Sequence, residues 1–435
     1  MKRLSSLVAL AALASGCGLP RATPAPAFAP VSLGPSVASC PVTPPRRVPV
    51  EVRDVAWSGL AGDRTWALAK QGEKRVLVRI VNGRLESVPL PDAYEQASVA
   101  VHARANLLWV MRSNAGLPSE DPAWMFLDVA SSERPQPGAL ASLDPLPPEA
   151  PSAFAVAGDR ALFFLSEKRS LLPWDLGAAS ALGARVRSEG APSDRPALHC
   201  EAKGCFAVAA EGDGPNRRMV VRRFDRQGRE EHEELGPEPV AEWTTAETGA
   251  GTLVAWSAFG VKGMRACMLD ASGKPTGPAY ALGGVEADLQ DPKAFPTHEG
   301  VLLAWQAARV GWRIGGLRED GRAVDRVTTV PVGGSALTVA AVEEGVIAAV
   351  YTTGIDDEGG KQEWFATAEA AFVSPGDTAK SEPAEMLLDD VRGPGRGGYS
   401  AHAMAAPGWG AVLVAPEGDA KGKSFLSILR EPCPK

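Results

Sequence analysis

The 435-residue chain contains no run of basic residues, and its formal charge is −7 at pH 7. A mildly acidic chain of this kind has no electrostatic footprint for nucleic acid. Beyond the first residues no apolar run is longer than a strand, so no conventional transmembrane helix is expected. Helix-period stretches are scarce. There is no Gly-x-Ser-x-Gly elbow for a nucleophile and no phosphate loop. The histidines (His102, His199, His232, His298 and His402) are scattered, and none is spaced as a metal-ligand pair. No catalytic residue, metal or cofactor is therefore expected. With 45% hydrophobic and 22% charged residues, general disorder is excluded as well.

What is present begins with a processing segment. Lys2 and Arg3 precede the apolar "LSSLVALAALA", which is too short to span a membrane, and then comes "LASGC", ending at Cys17. This stretch resembles a bacterial lipobox. The resemblance implies a signal peptide over residues 1–16 and a lipid on Cys17, which becomes the mature N-terminus. Gly18 after the cysteine implies sorting to the outer membrane. Plain secretion with loss of Cys17 is the alternative. Residues 17–40, rich in Pro and Ala, read as an extended tether. Residues 41–435 are the folded body.

Within that body short apolar runs recur between turns. The most regular are "RTWALAK", "NLLWVMR", "RALFFLS", "GCFAVAA", "GTLVAWS", "GVLLAWQ", "GVIAAVY" and "GAVLVAP", one about every 40 to 65 residues. A unit of this length built from short strands predicts an all-β fold, a β-propeller with one four-stranded blade per unit. Eight blades are expected, with seven the alternative count. In the fifth unit strands A to D read "AEWTTAE", "GTLVAWS", "MRACMLD" and "PAYALGG". In the sixth they read "DPKAFPT", "GVLLAWQ", "GWRIGGL" and "VTTVPVG". The turns Asp225–Gly228, Asp270–Gly273, Asp320–Gly321 and Asn82–Gly83 join strands C and D, with Gly supplying positive φ. Trp256 and Trp305 hold equivalent places and are expected to pack between blades. The last unit lacks a fourth strand. A segment from residues 28–50 is expected to complete it and close the ring, because sheets avoid an open edge.

Cysteine usage agrees with closure. Cys40 and Cys433 come within disulfide reach only if the chain ends meet. Cys200 and Cys205 flank an A–B hairpin, where opposed residues suit a disulfide; a zinc site would need further ligands that are absent. Cys267 is left as a buried thiol.

In a propeller the B–C and D–A connections share one face. Here "NAGLPSEDP", "EGDGPNR", "GIDDEGGKQ", "EGDAKGK" and "LLDDVRGPGRGG" read as acidic loops. They place Glu120, Asp121, Glu211, Asp213, Asp356, Asp357, Glu358, Asp389, Asp390, Glu417 and Asp419 on that face as candidate binding residues. The unit as a whole resembles blades of bacterial secreted and lipid-anchored propellers. "LDASGKPTG", residues 269–277, is similar to the "LDA-x-TG" stretch of quinoprotein-type blades. That likeness covers one unit, and the family's regular tryptophan dock is not repeated around the chain.

Two functions follow. The first is a lipid-anchored envelope scaffold that binds an envelope protein or surface polymer through its loop face, touching the membrane only by its lipid. The alternative is a propeller enzyme, a glycan or peptide hydrolase or lyase. It would need two carboxylates within about 5–10 Å in an aromatic-lined funnel. Nothing in the sequence sets an oligomeric state.

Overall fold

The computed structural model describes residues 37–434, apart from 91, 95–97, 105–106, 114–123, 129–137, 140–150, 158–159, 167, 176–179, 190–194, 202–203, 249–250, 287–288, 298–299, 308–309, 319, 344, 359–360 and 378–379. The described residues form a β-propeller of eight antiparallel sheets with strands in the order A-B-C-D, the third having a further short strand, Val186–Arg187, beside its C strand. The fifth sheet is representative, with Val240–Thr248, Gly251–Ala258, Met264–Leu269 and Tyr280–Leu282. The B strands are Arg64–Gln71, Leu107–Ser113, Arg160–Leu165, Gly204–Glu211, Gly251–Ala258, Gly300–Ala307, Gly345–Glu358 and Trp409–Gly418. They coincide with the eight apolar runs. Gly204–Glu211 is buried along its whole length, as expected of a strand covered on both faces.

Apolar side chains collect between the sheets rather than within any one of them. Eight clusters form, and each joins one sheet to its neighbour. Trp256 faces Phe206 and Val208 of the fourth sheet, and Trp305 faces Leu253 and Ala255 of the fifth. Both indoles are fully buried. The cluster holding Met404, Leu413 and Ile428 with Val52, Ala67 and Val78 joins the eighth sheet to the first.

The eighth sheet is Gly397–Ala406, Trp409–Gly418, Ser424–Pro432 and, as its outer strand, Ser39–Val50. Ser39 lies opposite Pro432 and Val50 opposite Ser424. A disulfide joins Cys40 to Cys433, with Cα atoms 4.9 Å apart. A second joins Cys200 to Cys205, which are directly opposed across their hairpin. Cys267 is a free thiol in the core, and burial pushes its pKa up to about 11. It is unreactive for that reason.

The recurring C–D turn has two physical causes. Asp270 accepts hydrogen bonds from the backbone N–H of Ser272 and Lys274 at 2.8 and 3.0 Å, and Gly273 takes φ +78°. Asp225 does the same for Gln227 and Arg229. The turn also leans on the preceding blade. A Cβ on Gly273 would lie 2.5 Å from the Phe206 ring, one on Gly228 2.5 Å from the Leu182 backbone, and one on Gly83 2.5 Å from Trp409. In the sixth blade the Tyr280 hydroxyl of the blade before donates to the Gly321 carbonyl at 2.6 Å. Glycine is thus required by φ and by contact together. Gly273→Ala is expected to cost about 2–4 kcal/mol, by adding a clash to the left-handed penalty. Gly260→Ala, at φ +74° in open space, should cost only about 1 kcal/mol. Urea unfolding of the two variants measures the difference.

Two expectations need correction. Strand D of the sixth blade runs Val324–Thr329, three residues earlier than its sequence pattern suggests. It starts early because Val324 already pairs with Leu317 of strand C, directly after the Asp320–Gly321 turn. The stretches 354–358, 361–362 and 387–398 are largely strand, not loop. Gly345–Glu358 and Lys361–Val373 form a hairpin of 14 and 13 residues, flanked by Glu385–Pro394.

Candidate binding face

Antiparallel order fixes what each end of the ring displays. The A–B and C–D turns lie at one end, and the B–C turns with the D–A connections lie at the other. Ser39 pairs with the last residue of a C strand, so the N-terminal strand enters at the C–D end. The Cys40–Cys433 bond sits there too. The seventh-blade hairpin reaches out at the opposite end.

That hairpin carries several of the candidate acidic residues. Asp356 and Asp390 both lie 3.1 Å from the Arg392 guanidinium, which stands over the Phe365 ring. Hydrogen bonding to Asp390, followed by its charge, raises the pKa of Arg392. Asp357 and Asp389 are exposed, and neither has an ion-pair partner among the described residues. Glu358 is in the hairpin by its backbone. The adjoining eighth blade adds Asp419, which accepts a hydrogen bond from the Arg396 backbone at 3.2 Å. Arg396 in turn donates to Gln362 of the hairpin at 3.1 Å. Glu417 lies nearby and raises the pKa of Tyr351, after the larger effect of burial.

The acids of the fourth blade are a separate matter. Glu211 is buried, at 7% exposure, and accepts hydrogen bonds from Arg222 at 2.8 and 2.6 Å and from Ser188 at 3.2 Å. Arg222 also pairs with Glu230. Glu211 is therefore a structural ion-pair residue, not part of an exposed acidic surface. Asp213 is exposed beside the short helical turn Gly214–Asn216. Glu120 and Asp121 lie outside the described residues, as do Cys17 and His298.

Sequence reasoning missed the apolar side chains of this face. Phe259, Val310 and Ile355 are 57%, 48% and 48% exposed. They stand at the B–C ends of blades five, six and seven in succession. A shallow pocket of ≈ 380 Å³ opens beside the first, lined by Ala241, Ser257, Phe259, Lys262 and Leu289 among others. The signal was a large apolar residue inside a glycine-rich turn, "AFGVKG". Among the described residues no carboxylate lines the pocket. Among the described residues no group of three or more His, Cys, Asp or Glu is placed to hold a metal ion.

Three histidines sit on A strands against the next blade. His102 lies 5.9 Å from the Phe154 ring. The His199 Nδ1 is 2.8 Å from Glu247 of the fifth blade, and that of His402 is 3.2 Å from the Ser58 hydroxyl of the first. His232 is exposed.

No protein-family profile matches the chain, and no curated protein does. Several solved structures are similar in backbone. Apo AztD from Citrobacter koseri is 10% identical with a TM-score of 0.45, over 86% of this chain and 99% of that one. Hsv2 from Kluyveromyces lactis is 11% identical with a TM-score of 0.41, over 79% and 99%. The Dos1 propeller is 7% identical with a TM-score of 0.41, over 88% and 95%. At these identities the likeness is one of backbone alone.

Proposed function

We propose that this chain is a lipid-anchored propeller of the bacterial cell envelope, belonging with the secreted and lipid-anchored propeller proteins its units resemble. It binds an envelope protein or surface polymer through its B–C face and performs no chemistry on it. Lipid on Cys17 holds it to the outer membrane. The observation that carries this reading is the separation of the two ends. The chain enters beside Cys40 at the C–D end, while the projecting hairpin and the exposed Phe259, Val310 and Ile355 stand at the other. A tether attached on one side leaves the opposite side free for a partner. Large apolar side chains among charged ones are the usual composition of such a contact.

The test is quantitative crosslinking of the lipidated protein in its native envelope. Asp357→Lys/Asp389→Lys reverses two exposed charges that support no ion pair in the hairpin. The expected result is one stoichiometric partner, reduced about tenfold in this variant by charge repulsion. No enriched partner, or one indifferent to the hairpin variant, would overturn the proposal. Cys17→Ser should move the protein from the membrane to the soluble fraction.

A further inference from the structure

The junction between the eighth and first blades holds a buried imidazole with no charged partner among the described residues. His402 is 8% exposed on strand Gly397–Ala406. Its Nδ1 faces the Ser58 hydroxyl at 3.2 Å, and its Nε2 is buried with no hydrogen-bond partner among the described residues. In either tautomer one ring nitrogen is unsatisfied. The neutral ring tolerates this; a cation would not.

The surrounding groups offer no relief. The Tyr351 ring lies 6.4 Å away, and Tyr351 itself resists ionisation because it is buried. Asp54 is engaged with Arg53, Lys70 and the Gly418 backbone. Arg79 is held by Glu86 and stacks on Trp66. Asp63 and Arg64 pair with each other. On the strands of blade seven, Glu369 accepts from the Gly333 backbone, Asp356 and Asp390 pair with Arg392, and Glu363, Asp357 and Asp389 stand out with the hairpin. Glu417 and Tyr399 are the remaining titratable groups of the eighth sheet near this side. None of them stabilises a charge on His402, and burial alone pushes its pKa down to about 4.

We propose that the junction between blades eight and one is an acid-sensitive latch, which opens when His402 takes up a proton while both chain ends stay fixed in blade eight. The Cys40–Cys433 bond and the pairing of Ser39–Val50 with Ser424–Pro432 keep the termini together on one side of that junction. The first blade is the part released. The junction of blades four and five is the natural contrast, because the His199 ring there lies 2.8 Å from the Glu247 carboxylate.

The sign follows from the two states. Above the ordinary histidine pKa of 6.5, open and closed forms are both neutral and pH has no effect. As pH falls from 6.5 towards about 4, only the open form accepts the proton, so opening becomes more favourable. Below about 4 the closed form is protonated as well and the trend levels off. Between pH 7.5 and 5.0 the opening constant should rise roughly 30-fold.

Hydrogen exchange read by mass spectrometry tests this on the full chain, with labelling times scaled for intrinsic exchange. Peptides from Gly397–Ala406 and Arg53–Ala61 should lose protection at pH 5.0, and those from Ala197–Glu201 and Val240–Thr248 should not. His402→Phe and His402→Gln should both abolish the acid response, and Ser58→Ala, which keeps the base, should retain it. Melting at pH 7.5 establishes which variants are folded. Equal loss at both junctions, no loss at either, or an acid response that survives in a folded His402 variant would overturn the latch.

Discussion

Replacing both Cys40 and Cys433 by Ser is expected to lower stability by about 3–5 kcal/mol, as befits the loss of a crosslink spanning nearly the whole chain. The two residues are 393 positions apart, so in the unfolded state the bond restricts almost every segment. Loop-closure entropy grows only slowly with length. The other bond therefore gives a useful scale: with a separation of 5, Cys200–Cys205 is worth only about 2 kcal/mol by the same reasoning. Urea unfolding of the Cys40→Ser/Cys433→Ser protein, against a Cys200→Ser/Cys205→Ser protein, measures both. Equal losses would mean that chain restriction is not what the long-range bond contributes.

Arg430→Ala should cost about 2–4 kcal/mol, by breaking a largely buried charge-assisted network. The guanidinium is 5% exposed and donates to the Ser39 carbonyl at 2.7 Å and to the Ser39 hydroxyl at 3.3 Å. It also pairs with Glu382 of the seventh blade and lies 4.1 Å over the Phe372 ring. One side chain thus ties the N-terminal strand, its own blade and the neighbouring blade together. Partial exposure of Glu382 keeps the cost below that of a fully enclosed pair. Arg430→Lys should recover less than half, since an ammonium lacks the planar fork that meets these acceptors and stacks on the ring. Because Arg430 and the disulfide hold the same strand, their losses should be non-additive by about 0.5–3 kcal/mol in a double-mutant cycle. Strict additivity would show that they act as independent anchors.

How much of this was legible in the sequence depended on whether burial left a local mark. The B strands did so, because covering both faces demands an unbroken apolar run such as "GTLVAWS" or "GVLLAWQ". The C–D turns did so through Asp and Gly at fixed offsets. The pairing of Cys40 with Cys433 followed from the need to complete the last sheet. The seventh-blade hairpin left the opposite mark. Its strands project beyond the packed ring, so they need no apolar core, and "GIDDEGGKQ" looks like loop although backbone pairing continues through Glu358 and Lys361. Glu211 was misread for a related reason. Its partner Arg222 lies on the facing strand, and nothing in "EGDGPNR" reveals that the carboxylate points inward. The contacts of His199 and His402 cross from one blade to the next, over 48 and 344 positions, which no local pattern records.

The outer strand of blade eight, "SCPVTPPRRVPV", has a consequence for how the protein behaves at high concentration. It lies at the margin of its sheet and contains Pro41, Pro44, Pro45 and Pro49. Pro44 and Pro45 fall where its register breaks, between Pro41 and Arg46. Proline offers no N–H, so at these four positions the strand has no donor for a strand from another molecule. Arg46 and Arg47 set charged side chains along the same strand, paired with Glu431 and Glu385. Other blades resist in other ways: Tyr280–Leu282 is three residues long, and Glu230–Glu234 is four glutamates around a histidine. The strand that unites the chain ends is therefore also a guard against aggregation, so proline-to-alanine changes there should cost solubility before they cost folding.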